Sequence, residues 1–244
     1  MQKNKKCILI LSGGLDSVTL LHDIVKQHGK ENIIAISFNY GSKHNAYELP
    51  MAIYQTSQLK VEHRIIDMVQ VFNNFNSALL NHENSEEIPE GHYEEKSMKK
   101  TVIPFRNGIL LAIAAGVAET VGATKIYYGA HGGDHIIYPD CRLKFIKAMS
   151  SATKLGTYNK VKILAPYSNI NKIKILKIGK KLGVDYSKTH TCYNPSNGKS
   201  CGKCGSCIER CAAFIINKMK DPIKYILPWE KQKKYTQKIL NKKN

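Results

Sequence analysis

Five short runs rich in aliphatic and aromatic residues, at 7–11, 33–38, 61–66, 125–129 and 161–164, punctuate the chain. Between them, apolar residues recur three or four positions apart. Val18, Leu21, Ile24 and Val25 mark one face of a helix that opens after Gly14 and closes at Gly29. The same periodicity predicts helices over 45–59, 106–121, 141–154 and 171–182, the last ending before Gly183. Alternation of short buried strands with amphipathic helices is the pattern of an α/β fold with a doubly wound, mostly parallel sheet. Ligands of such sheets gather where the strands end, at their carboxyl edge.

Two segments depart from this rhythm. Residues 76–100 are polar and hold Glu83, Glu86, Glu87, Glu90, Glu94 and Glu95. A stretch of that length without a periodic pattern is expected to be a mobile insertion. The second is a cysteine-rich run followed by a basic, helical-looking tail. The expected organisation is an α/β domain over 1–189 with a small metal module and tail over 190–244.

The chain has 244 residues, enough for one substantial core. Hydrophobic residues make up 43 % and charged residues 23 %, which excludes wholesale disorder. No apolar run approaches the ~20 residues of a membrane span. The basic start leads straight into the first strand rather than a signal peptide, so a cytoplasmic protein is expected. The formal charge of +18 comes from 37 basic residues, all but Arg64, Arg106, Arg142 and Arg210 being Lys. Lysines spread along the whole chain read as a solvated surface, not a nucleic-acid face. Where so lysine-rich a chain still uses Arg, a planar multidentate donor is called for.

The sharpest motif is Ser12-Gly13-Gly14-Leu15-Asp16-Ser17, between the first strand and the first helix. Free backbone N–H groups at a helix start, close approach over glycine and flanking hydroxyls together make a phosphate site. It is neither a Walker A loop nor a dinucleotide fingerprint, since neither glycine spacing occurs. The hexapeptide resembles the PP-loop of the ATP pyrophosphatase superfamily. Further pieces are Tyr40-Gly41-Ser42-Lys43-His44, Pro104-Phe105-Arg106-Asn107, Gly129 to His135, and Tyr138-Pro139-Asp140-Cys141-Arg142. With Thr191-Cys192-Tyr193-Asn194 and the cysteine run, they resemble the QueC family of 7-cyano-7-deazaguanine (preQ0) synthases, over about residues 7–214. Phe105 stands where the family pattern has Gly, and 132–137 departs from the commonest form.

That resemblance implies an adenine nucleotide alpha hydrolase-like fold and an ATP-dependent ligase of queuosine biosynthesis. It would join 7-carboxy-7-deazaguanine and ammonia into the nitrile through an adenylated acid and an amide. AMP with pyrophosphate, or ADP with phosphate, stay open as products. ATP is expected on Leu11, Ser12, Gly13, Gly14, Leu15, Asp16, Ser17, Asn107 and Gly129, with Mg²⁺ near Asp16. Catalysis is expected from Ser12, Asp16, Ser17, Arg106 and Arg142, and substrate contact from Asp134, Tyr138, Asp140 and Arg142. A guanidinium suits a carboxylate bidentately, and an acidic side chain suits an exocyclic amine. With no amidotransferase stretch in the chain, free ammonia is the expected nitrogen donor, and a homodimer is implied by the family.

Seven cysteines is an odd number, and five fall between 192 and 211, which favours metal over disulfides. Cys192, Cys201, Cys204 and Cys207 match the family's structural zinc ligands. Cys201, Cys204, Cys207 and Cys211 instead fit the spacing of bacterial ferredoxins. His131 and His135 are spaced like ligands but lack a helix, and Cys141 lacks the partners of a nucleophile. Rival readings are a PP-loop tRNA-thiolating enzyme, a relative with another acceptor than ammonia, and a zinc-knuckle nucleic-acid binder.

Overall fold

The computed structural model describes residues 6–82, 85–92 and 95–241, which leaves Glu83 and Glu94 of the acidic insertion outside it. Five strands form one parallel sheet: β1 (Cys7–Ile10), β2 (Ile33–Asn39), β3 (Glu62–Asp67), β4 (Lys125–Tyr127) and β5 (Lys162–Leu164). Their order is β3-β2-β1-β4-β5. Ile8 pairs with Ile34 on one side and Ile126 on the other, and Ile126 pairs in turn with Ile163. The doubly wound sheet expected from the alternation is therefore present, with all pairs parallel.

The helices are α1 (Leu15–His28), α2 (Asn45–Leu59), α3 (Val69–Phe72), α4 (Arg106–Thr120), α5 (Leu143–Leu155), α6 (Lys172–Lys181), α7 (Gly205–Ile216) and α8 (Trp229–Asn241). Side chains of β1 alternate between two cores. Cys7 and Leu9 join Val18, Leu21 and Ile24 of α1 and Ile175 of α6. Ile8 joins Leu111, Ala114 and Ala118 of α4 on the opposite face. Both faces are dry, which is why this strand is apolar at every position. The edge strand β3 instead carries the exposed Glu62 and Arg64, so the charges within that run are edge positions.

One stretch, Lys96–Thr120, is long and apolar enough to cross a membrane by length and composition. It is interrupted: a 3-10 turn ends at Thr101 and α4 begins only at Arg106. Phe105, just before it, adopts a left-handed conformation with φ 52°. There Gly would be unstrained, whereas Phe bears a cost on the order of 1 kcal/mol. Its ring packs edge-on against Phe145, 5.7 Å away.

The acidic insertion is not a bare loop. Ala78, Leu79, Leu80, Ile88 and Met98 are buried in the α4-side core. Its backbone is tied down by Lys43 N–H to Leu79 O (2.9 Å), Asn81 N–H to Gly41 O (3.0 Å) and Gly91 N–H to Lys203 O (3.0 Å). Small apolar residues scattered among glutamates carry this packing, and they show no period to read. At the other end, Ala213 and Phe214 of α7 sit in the same core as α1.

Candidate functional site

The connections after β1 and β4 leave the sheet in opposite directions, opening a crevice at its carboxyl edge. One pocket fills it, lined by residues from both connections and from α2, α4, α6 and the 190–193 segment. At its floor, Ser12 and Ser17 share a hydroxyl hydrogen bond of 2.9 Å, and Gly14 N–H donates to Ser12 Oγ at 3.2 Å. No side chain caps α1, so the N–H groups of its first turn stay open toward the pocket. Gly13, at φ 87°, needs its freedom twice over, since a Cβ there would collide with the Glu48 carbonyl of α2. Gly129 is needed for closeness: a Cβ would lie 3.3 Å from the Ser17 backbone.

Beside this floor stands a charged cluster that sequence reasoning did not assemble. Lys172, the first residue of α6 and 5 % exposed, reaches Glu209 at 2.6 Å and Asp16 at 3.3 Å. Burial alone would lower its pKa, but Asp16 and Glu209 outweigh it and hold the amine charged. His131 lies 3.5 Å from Asp134, 3.7 Å from Glu209 and 3.8 Å from Asp16. Its Nδ1 accepts from Gly133 N–H at 3.0 Å, which leaves the Nε2 edge facing those carboxylates. Asp16 Oδ1 is buried without a hydrogen-bond partner. A hard cation beside the phosphates would satisfy that oxygen, so the donor set fits Mg²⁺.

The inner wall is aromatic. Tyr40, His44, Tyr138, Tyr193 and His190 line it together with Glu48 and Arg106. The rings of His44 and Tyr193 are 5.3 Å apart, and the Tyr138 and Tyr193 hydroxyls approach to 3.4 Å. Burial, with help from Arg106, pushes His44 down to about 3, so this ring is neutral. Burial raises the Glu48 carboxyl to about 8 despite the pull of Arg106.

Of the residues expected from sequence, Ser12, Gly14, Leu15, Asp16, Ser17, Arg106, Asn107, Gly129, Asp134 and Tyr138 all line this pocket. Leu11 and Gly13 do not. Leu11 is core, and the Gly13 carbonyl accepts from His190 N–H at 3.0 Å. Asp140 and Arg142 are not brought to it either. Asp140 accepts from Asn107 N–H at 2.8 Å, fixing the start of α4. Arg142 is exposed and donates to His135 O at 3.0 Å. The local reason is the 3-10 turn Pro139–Cys141, which carries Arg142 to the outside as α5 begins. Lys172, Glu209, Glu48 and His190 were missed. Lys172 had a weak signal, a basic residue directly behind the Asn171 cap at a strand-end helix start, diluted by the four further lysines of the same helix.

Behind the pocket, the Sγ atoms of Cys192, Cys201, Cys204 and Cys207 all lie within 4.8 Å of one another. Cys201 Sγ accepts from the N–H groups of Lys203 (3.4 Å) and Cys204 (3.3 Å), and Cys192 Sγ from that of Cys201 (3.2 Å). Four converging thiols dressed by backbone N–H suit a tetrahedral thiophilic metal. Cys211 is not in this set. It lies one turn along α7 from Cys207, buried beside Thr236 of α8, which decides between the two quartets the spacing allowed. Arg210, next to it, is fully buried and spends all five donors: two on Asp221, one each on Thr189 and Thr191, and one on Tyr186 O.

Residues 6–218 match the sequence model of the family described as queuosine biosynthesis protein QueC. The 7-cyano-7-deazaguanine synthase of Hahella chejuensis is 50 % identical over 90 % of this chain and 93 % of its own length. That of Porphyromonas gingivalis strain ATCC 33277 is 47 % identical over 92 % and 99 %. Among solved structures, the U34-tRNA thiolase NcsA from Methanococcus maripaludis, with its [4Fe-4S] cluster, superposes with a TM-score of 0.50. It covers 98 % of this chain and 74 % of its own at 18 % identity, a likeness of fold alone.

Proposed function

The chain belongs to the queuosine biosynthesis protein QueC family, and we propose that it converts 7-carboxy-7-deazaguanine and ammonia into 7-cyano-7-deazaguanine at the expense of ATP. The observation that carries the reading is the uncapped Ser12–Ser17 loop opening into one pocket with an aromatic wall and an arginine. The loop and the first turn of α1 supply neutral donors and a helix dipole for the β- and γ-phosphates. Lys172 adds a fixed positive charge at the same edge, held in place by Glu209. A carboxylate oxygen of the acid attacks the α-phosphorus and pyrophosphate leaves. Ammonia then displaces AMP to give the amide. A second ATP activates the amide oxygen in the same way, and loss of AMP and a proton leaves the nitrile. Nothing in this sequence needs a covalent bond to the protein. Positioning and charge stabilisation are what the residues provide.

Mg²⁺ would be held at Asp16 and would neutralise phosphate charge. Zinc would be held by Cys192, Cys201, Cys204 and Cys207, where it closes a knuckle too small to fold alone.

The test is to incubate the metal-loaded protein with ATP, Mg²⁺, ammonium and 7-carboxy-7-deazaguanine and follow products by mass spectrometry. Nitrile with AMP is expected, together with one zinc per chain by elemental analysis. ATP turnover without nitrile would point to another acceptor, and no turnover would overturn the phosphate-loop reading. Iron with visible charge-transfer absorption would replace zinc by a cluster.

A further inference from the structure

Every carboxylate around the pocket but one has its hydrogen-bonding or ionic work assigned. Asp16 and Glu209 face Lys172, Asp134 accepts from His131 N–H at 3.0 Å, and Asp140 accepts from Asn107 N–H. Glu48 is different. Its side chain is 12 % exposed, and among the described residues its one basic contact within 4 Å is His44 Nε2 at 3.7 Å, beyond hydrogen-bond distance. That ring is neutral and so offers no ion pair. A largely buried carboxyl with no hydrogen bond among the described residues is an acceptor that a ligand can satisfy. His44 Nδ1, on the same wall, is buried without a partner.

Arg106 mirrors it. Its guanidinium lies 5.6 Å from the centre of the Tyr40 ring and makes one long hydrogen bond, 3.4 Å to the Tyr40 hydroxyl. The other donors have no hydrogen bond among the described residues. Arg106 and Glu48 influence each other electrostatically but form no ion pair. An unspent multidentate donor and an unspent acceptor therefore face one pocket between aromatic rings. The complementary ligand is a flat heterocycle with an anionic group at one end and paired N–H donors at the other.

We propose that Glu48 is a specificity-determining residue whose carboxyl reads the ring N–H and 2-amino donors of the deazaguanine while Arg106 holds its carboxylate. This rests on the proposed function, which supplies the acid. It moves both contacts away from Asp140 and Arg142, which do not line the pocket. It also explains the placement of the phosphate loop, since Gly13 packs directly on the Glu48 carbonyl and so sets acid and nucleotide side by side.

The experiment compares 7-carboxy-7-deazaguanine with its analogue lacking the 2-amino group, as kcat/KM for nitrile formation. The folded enzyme should favour the amino substrate about 100-fold or more, because a site built to bond an N–H rejects a ligand without it. Glu48→Gln, of the same volume, and Glu48→Ala should each reduce that preference below about 10-fold. In Arg106→Lys, KM for the acid should rise with KM for ATP little changed. Thermal unfolding and metal content confirm that each variant folds. Retention of the full preference in both Glu48 variants overturns the inference. Failure of the wild-type chain to make nitrile from the acid overturns the functional reading, and this inference with it.

Discussion

Arg210 is fully buried and Arg106 half-buried, and they belong to opposite kinds of place. Around Arg210 every donor is paired, the partner carboxylate Asp221 is itself buried, and Tyr225 adds a bond of 2.8 Å to it. Arg210 ties α7 to the 186–191 segment, through the Thr189 and Thr191 hydroxyls and the Tyr186 carbonyl, and that segment brings His190 and Thr191 to the pocket. Around Arg106, among the described residues, there is one weak hydrogen bond and an aromatic face. What separates structure from function here is, beyond burial, the number of donors left over. A satisfied network specifies a fold, whereas unsatisfied groups held rigid specify a ligand.

The largest expected effect breaks this contrast directly. Arg210→Met leaves Asp221 buried without its counter-charge and should cost about 3–5 kcal/mol in urea unfolding. Arg106→Met should change stability by less than about 1 kcal/mol while abolishing nitrile formation. Equal losses of stability in the two variants would erase the distinction.

A smaller effect sharpens it through pH. Glu48 titrates at about 8 in the folded chain against an ordinary 4.5, so between those values the native state holds a proton the unfolded state has released. Stability from this group therefore falls as pH rises from 4.5 to 8. Glu48→Gln should remove that slope and stabilise the chain by on the order of 1–3 kcal/mol at pH 8, with no gain near pH 4. His44 and His190, lowered to about 3 and 4 chiefly by burial, give the opposite slope below 6.5. They do so in both proteins, and cancel in the difference. The smallest effect is at Arg142, where Arg142→Ala should leave kcat/KM within about 3-fold because the side chain is solvated.

The sheet and the phosphate loop were legible because both write themselves locally. β1 is apolar at successive positions since both of its faces are dry, and the Ser-Gly-Gly-Leu-Asp-Ser run contains its own turn and helix start. The quartet of cysteines was half legible: spacing allowed two sets, and only the turn of α7 between Cys207 and Cys211 separates them. Glu48, Lys172 and Glu209 were hard to read from sequence, because each is an ordinary charged residue in its own helix: Lys172 is one of five lysines in α6, and it meets Glu209 37 residues further on and Asp16 from the other end of the domain. Asp140 and Arg142 stand outside the pocket lining for a related reason. A motif shows which side chains travel together, but the 3-10 turn at 139–141 decides which way each one points.

The contact between Gly13 and the Glu48 carbonyl has a geometric consequence. The offset between nucleotide and acid is a main-chain dimension, fixed where one backbone rests on another, and no rotamer can lengthen or shorten it. Substitutions on the outer surface of α2 can drift without changing reach between the reacting atoms. At position 13 a single methyl group would wedge the two ligand sites apart.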